Sequence, residues 1–193
     1  MPAVIRIAVV YHSAWGHTAR VADAVAAGAA AVAGTSVHRV PVDDIDDRWP
    51  LLDDADALIF GCPTYMGGVS APFKAFMDAT GSRWLKQRWR DKIAAAFTNS
   101  GAPSGDKLQT LVSLAVFAAQ HGMIWVGSDV VYSGQPDSLN RAGSYLGVMS
   151  ESLDAPVSET NPPVRDLQTA QLLGSRVAAI AGRFRAGGPR PPD

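Results

Sequence analysis

Ile5-Arg6-Ile7-Ala8-Val9-Val10-Tyr11, followed by His12-Ser13-Ala14-Trp15-Gly16-His17-Thr18, is the stretch that decides the fold. Ile5, Ile7, Val9 and Val10 form a nearly continuous β-branched run, the pattern of a parallel strand covered on both faces. Past the loop, Val21, Val25, Gly28 and Val32 recur at helical spacing until Gly34 supplies a stop. Strand, loop and helix in that order open a doubly wound α/β chain.

Working outward, 36–42 reads as a second strand and Ala57-Leu58-Ile59-Phe60-Gly61 as a third. The acidic connector between them has room for a short helix near Leu51, and its aspartates read as a solvated surface rather than a metal site. From Ser70, which can cap, and Pro72 in the first turn, Phe73, Phe76 and Met77 define one helix face until Gly81. A fourth strand spans 92–98. A helix over 106–121 is expected to turn Leu108, Leu111, Val112, Ala115 and Ala119 inward, with Gly122 past its end, and 123–126 makes a fifth strand. The Gly-, Ser-, Asn- and Pro-rich stretch 127–160 is too long for an ordinary connection and predicts a functional loop or a small excursion. A last helix starts near Val164 and uses Leu173, Val177, Ile180 and Phe184. One domain over 1–186 is expected, with a fraying tail at 187–193. Alternating strands and helices specify a three-layer αβα sandwich around a five-stranded parallel sheet of order 2-1-3-4-5.

In such sheets ligands lie beyond the carboxyl ends of the strands where the order reverses. Three loops meet there. The first offers the hydroxyls of Ser13 and Thr18, free backbone N–H groups and the positive end of a helix dipole, a neutral cradle suited to a terminal monophosphate. No G-x-x-x-x-G-K-[ST] motif is present and no G-x-G-x-x-G follows a strand, which argues against an ATPase and an ordinary dinucleotide-binding domain. The second loop, Gly61-Cys62-Pro63-Thr64-Tyr65-Met66-Gly67-Gly68, joins chain-bending glycines to a planar aromatic and could approach a flat heterocycle closely. The third, Asn99-Ser100-Gly101-Ala102-Pro103-Ser104-Gly105, repeats the theme.

Composition narrows the function classes. In 193 residues, 47% are hydrophobic and 18% charged, a globular chain with a core to bury. The 17 Lys and Arg against 18 Asp and Glu leave a net charge of −1, so no field exists to hold a nucleic acid or an anionic membrane. No apolar run is long enough to span a bilayer, and the start of the chain reads as a strand rather than a secretory leader. A lone cysteine, Cys62, removes any intrachain disulfide or Cys-based zinc cluster and points to a reducing, cytoplasmic location.

Over about 180 residues these loops resemble the flavodoxin-like, FMN-dependent NAD(P)H:quinone oxidoreductases of the WrbA type. Ser13-Ala14-Trp15-Gly16-His17-Thr18 resembles their FMN phosphate loop, Pro63-Thr64-Tyr65-Met66-Gly67 their flavin-edge loop, and Asn99-Ser100-Gly101, with Ala102 and Ser104 beyond it, the third. Thr80-Gly81-Ser82-Arg83-Trp84 matches where the family places a tryptophan above the flavin, and His121-Gly122-Met123 where it places a histidine beside it. The resemblance implies FMN as cofactor, NAD(P)H as donor and a quinone as acceptor, with ping-pong turnover. It also implies Trp84 facing the substrate, His121 donating to the reduced flavin, and a homodimer or homotetramer. The chain departs from the family in a shortened 42–56 segment, in Pro103, and in Tyr65 and Met66, where arginine and phenylalanine are common. The other functional class open to these residues is a flavodoxin-like electron carrier acting through partner proteins.

Overall fold

The computed structural model describes residues 4–135 and 137–187, so the expected tail lies outside the described residues from 188 onward. The chain runs β1 (Ile5–Tyr11), α1 (His17–Ala30), β2 (Thr35–Pro41), α2 (Trp49–Asp54), β3 (Ala57–Tyr65), β4 (Gly68–Val69), α3 (Ala71–Ala79) and α4 (Gly81–Leu85). It continues through β5 (Ile93–Ser100), α5 (Lys107–Gln120), β6 (Ile124–Trp125), β7 (Val148–Glu151) and α6 (Val164–Ala186). The main sheet is parallel in the order β2-β1-β3-β5-β6, which is the expected order once the β3–β4 hairpin is counted in.

Successive side chains of each central strand enter opposite layers, as the pleat requires. Ile7, Val9, Ile59, Ala95 and Phe97 pack with Val21, Val25, Leu173 and Val177 of α1 and α6. Ala8, Val10, Leu58, Phe60 and Ala96 pack with Phe73, Phe76, Leu111, Leu114 and Phe117 of α3 and α5. Two buried faces explain why the strands read as apolar runs rather than alternations.

Three local readings are corrected, and the long stretch after β6 is resolved into its parts. β3 does not stop at Gly61: Cys62 and Pro63 continue its register against Thr98 and Asn99. The strand then turns through Met66 (φ 47°) and Gly67 (φ 77°), a two-residue hairpin with both corners left-handed. Ser70 does not cap α3 with its side chain, because its hydroxyl is paired with His12 Nδ1 at 2.9 Å. On α5, Leu108 and Val112 face outward while Lys107, Thr110, Leu111, Leu114, Phe117 and Ala118 face inward. The stretch 127–160 divides into an excursion, a strand and a strap. β6 pairs with the first half of β5 and β7 with its second half, so the edge strand is split by the excursion over 126–147. Asn140 ties that excursion down, its backbone N–H donating to Thr169 Oγ1 (2.9 Å) and its side-chain amide to the Val130 carbonyl (2.8 Å). The strap beyond β7 belongs to the functional site.

Candidate functional site

A cleft of about 730 Å³ opens at the carboxyl ends of β1, β3 and β5, where the sheet order reverses. From the first loop, Ser13, Ala14, Trp15, His17 and Thr18 line it. Gly16 does not; it turns the chain at φ +87° with a methyl of Val157 only 3.0 Å from where a Cβ would stand. Ser13 Oγ accepts the Ala19 backbone N–H at 3.0 Å, so it steadies the start of α1 and keeps its own proton free to donate. Thr18 is 2% exposed, and its hydroxyl has no hydrogen-bond partner among the described residues.

The second loop contributes Pro63, Thr64 and Tyr65, whereas Met66 and Gly67 form the hairpin corner outside the cleft. Thr64 is wired into the protein. Thr98 Oγ1 donates to the Cys62 carbonyl (2.7 Å), so it accepts from Thr64 (2.8 Å), which in turn accepts from Thr110 (2.8 Å). These three hydroxyls lock the ends of β3 and β5 to α5 beneath the cleft floor. At the mouth Trp15, 78% exposed, and the exposed Tyr65 both line the cleft, so two aromatic side chains frame the entrance.

From the third loop Asn99, Ser100 and Gly101 line the cleft, while Ala102 and Ser104 stand behind it. The Ala102 carbonyl accepts from Ser100 Oγ (3.0 Å) and Lys107 Nζ (2.9 Å), and the Ser104 carbonyl receives the Lys107 backbone N–H.

The remaining wall carries no sequence motif. Ser152, Leu153, Asp154, Ala155 and Pro156, the strap that leaves β7, close the cleft opposite the second loop. Ser152 donates its hydroxyl to Asn99 Oδ1 (2.9 Å) and its N–H to the Ser100 carbonyl (3.0 Å). His17 Nε2 donates to the Ala155 carbonyl (2.9 Å), joining the strap to the first loop. Asn161 gathers the strap around its side chain, accepting the Leu153 N–H and donating to the Ala155 and Pro156 carbonyls. The length of 127–160 is the one sequence signal for this wall.

Two expected site residues lie elsewhere. His121 and Trp84 line a separate groove of about 610 Å³ between α3 and α5. α5 starts at the cleft and its 14 residues carry the chain about 20 Å away before His121 is reached. Within one chain, then, the imidazole does not stand beside the cleft, and neither does Trp84. His121 is 1% exposed and packs on Trp89 and Phe117. Thr80 Oγ1 gives its proton to the Met77 carbonyl (2.6 Å) and so accepts from His121 Nε2 (2.9 Å), leaving buried Nδ1 without a partner. Burial lowers the imidazole pKa to about 4, so it is neutral at physiological pH.

The buried series His12, Ser70 and Cys62 resembles a nucleophile arrangement, but Ser70 is 1% exposed and burial pushes the Cys62 thiol up to about 12. It is packing that ties the first loop to α3.

Among known proteins, residues 38–137 match the family described as NADPH-dependent FMN reductase. The chain belongs to the NADPH-dependent FMN reductase family. Among relatives of this FMN reductase-family chain, flavodoxin FldP of Pseudomonas aeruginosa is 39% identical over 92% of the chain and 97% of the relative. An NAD(P)H dehydrogenase (quinone) of Archaeoglobus fulgidus is 37% identical, covering 93% and 98%. A solved flavodoxin, a WrbA-like protein from Agrobacterium tumefaciens, superposes with a TM-score of 0.73 at 42% identity, covering 93% of this chain and 99% of that one. The FMN reductase-family chain thus has the flavodoxin-like fold, and its relatives carry the names of both functional classes.

Proposed function

We propose that this protein binds FMN in the cleft over β1, β3 and β5 and passes two electrons from NAD(P)H to a quinone or similar flat acceptor. The observation that carries the reading is the cleft itself. Its volume is within the usual range for a small-molecule site, no Lys or Arg among the described residues lines it, and a helix N-terminus meets it beside the Thr18 hydroxyl, which has no partner among the described residues. A phosphate monoester there would take its hydrogen bonds from Ser13, Thr18 and the backbone of the first turn of α1. A flat ring would lie between the second loop and the 152–156 strap, with Trp15 and Tyr65 at its open face. When bound, FMN supplies hydride acceptance and two-electron donation; the protein supplies binding, orientation and exclusion of water. Because one framed entrance serves both flat substrates, donor and acceptor exchange places, which gives ping-pong kinetics.

The relative named as a flavodoxin favours the second reading, an electron carrier with little turnover of its own. Anaerobic mixing of the holoprotein with NADPH separates the two: the enzyme bleaches the yellow flavin rapidly, and a carrier does not. Mass spectrometry of the released flavin should find FMN, since the cleft offers no second nucleotide motif for the AMP half of FAD; a predominance of FAD overturns the phosphate cradle.

We also propose association to a dimer or tetramer. Leu108, Val112 and Val116 form an outward apolar stripe on α5, and Trp84 and Leu85 are exposed nearby. A second copy could bring the exposed Trp84 to a cleft, whereas His121 stays buried under Trp89 and Phe117. Light scattering is expected to give at least twice the 20.3 kDa chain mass, and a monomer at working concentration would remove the proposal. Among the described residues no helix is long and apolar enough to cross a membrane. A cytoplasmic location is proposed on the lone buried thiol and on the cofactor chemistry.

A further inference from the structure

Lys107 is the charged side chain that the function so far described does not use. It occupies the first position of α5, where a cation opposes the helix macrodipole, and it is 1% exposed, where an ammonium loses its hydration. Both choices break a local rule, which in natural sequences marks a functional constraint.

Its surroundings show what the charge serves. The ammonium donates to the Ala102 carbonyl, one residue behind Ser100 and Gly101 in the cleft wall. On its other side Lys107 lines, together with Arg141 and Glu151, a small cavity of about 70 Å³. Arg141 grips Asp166 through two bonds of 2.7 and 3.0 Å and Glu151 at 3.0 Å. Asp166, 3% exposed, also accepts the Glu151 N–H at 2.9 Å. Two cations and two carboxylates therefore sit behind the third loop and the end of β7, and the set is balanced only while Lys107 is present. Burial lowers the Lys107 pKa while Glu151 and Asp166 oppose that shift. Among the described residues the cleft itself contributes one carboxylate, Asp154, and no Lys or Arg.

We propose that Lys107 is a positioning residue that fixes the third loop and supplies the positive charge that favours the reduced, anionic state of the flavin. The inference rests on FMN binding in the cleft. Lys107 touches the Ala102 carbonyl rather than the ligand, and acts through the loop and through its charge, which burial screens less than water would. Taking the ammonium away leaves the Arg141, Glu151 and Asp166 group with one net negative charge at the back of the wall, which disfavours an added negative charge. Taking the Glu151 charge away does the reverse.

The test is the two-electron potential of the holoprotein, read by equilibration with reference dyes without NAD(P)H. Lys107→Met is expected to weaken reduced FMN relative to oxidised FMN about tenfold, a fall of about 30 mV for a two-electron couple. Glu151→Gln is expected to shift the potential upward, Lys107→Arg to stay near wild type, and the double variant Lys107→Met/Glu151→Gln to return towards it. Damage to the loop alone would move both single variants in one direction. Shifts of the same sign, or no shift, overturn the proposal. Where Lys107→Met does not fold, the sign for Glu151→Gln decides. A protein that carries FMN yet is not bleached by NADPH overturns the enzyme reading and leaves this measurement intact, whereas a protein that binds no FMN overturns both.

Discussion

Thr18→Val is expected to loosen FMN by about tenfold to a hundredfold, the loss of one hydrogen bond to a charged group of about 1.5 to 3 kcal/mol. Thr18 is the second residue of α1, inside the cleft, and its hydroxyl has no partner among the described residues. The substitution keeps the shape of the side chain and breaks no internal bond. The melting temperature of the apoprotein should stay within about 2 °C of wild type. Ser13 is the contrast: its oxygen already holds the Ala19 N–H, so Ser13→Ala disturbs the helix start as well as the ligand. Titrating oxidised FMN into apoprotein by fluorescence checks the first expectation. An unchanged dissociation constant would take Thr18 out of the phosphate cradle, and a large fall in melting temperature would make it structural.

Gly174→Ala is expected to cost stability on the order of 3 kcal/mol or more, since overpacking against an unyielding neighbour reaches or exceeds the usual upper range. A Cβ on Gly174 would stand 2.0 Å from the Val25 carbonyl oxygen and 2.9 Å from the Ala29 nitrogen. The reverse contact is as tight, with a Cβ on Gly28 placed 1.9 Å from the Gln171 carbonyl oxygen. α1 and α6 thus meet backbone to backbone, and Ser175 Oγ donates to the Gly28 carbonyl at 2.8 Å in the same crossing. A methyl group there cannot displace a side chain; it must push apart the pair of helices that covers one whole face of the sheet. At about 2 to 4 °C per kcal/mol for a chain of this size, the melting temperature should fall by roughly 6 to 12 °C. Gly182→Ala on the same helix is the control. Its Cβ would meet only the tip of Ile5 at 2.8 Å, a flexible end that can turn away. There the better helix propensity of alanine, about 1 kcal/mol, offsets the crowding. Equal melting temperatures for the two variants would refute the crossing as a constraint.

The sequence by itself determined the sheet order and the three loops at its reversal, because both depend on local pattern. A β-branched run such as Ile5 to Val10 reports burial on two faces, and a loop trapped between strand and helix has one place to go in a right-handed crossover. The sequence alone therefore brings Thr18, Thr64 and Asn99 together as neighbours.

Tertiary structure decided what no local pattern encodes. Val148-Met149-Ser150-Glu151 is too short to signal a strand, and it becomes one because the second half of β5 has an open edge left by the two-residue β6. That pairing then aims 152–156 into the cleft and supplies a whole wall. Lys107, at the start of a helix, is buried with its ammonium on the Ala102 carbonyl, and Glu151 and Asp166, far along the chain, oppose the lowering of its pKa by burial. Leu108 and Val112 read as core, but the deeper stripe Thr110, Leu111, Leu114, Phe117 and Ala118 takes the sheet side of α5 and turns them out. The family resemblance implies His121 beside a flavin, and the direction of α5 carries it to the other end of the sheet. Periodicity tells which residues share a face; which end of the sheet that face meets, and what charge waits there, is fixed only by contacts between segments distant in sequence.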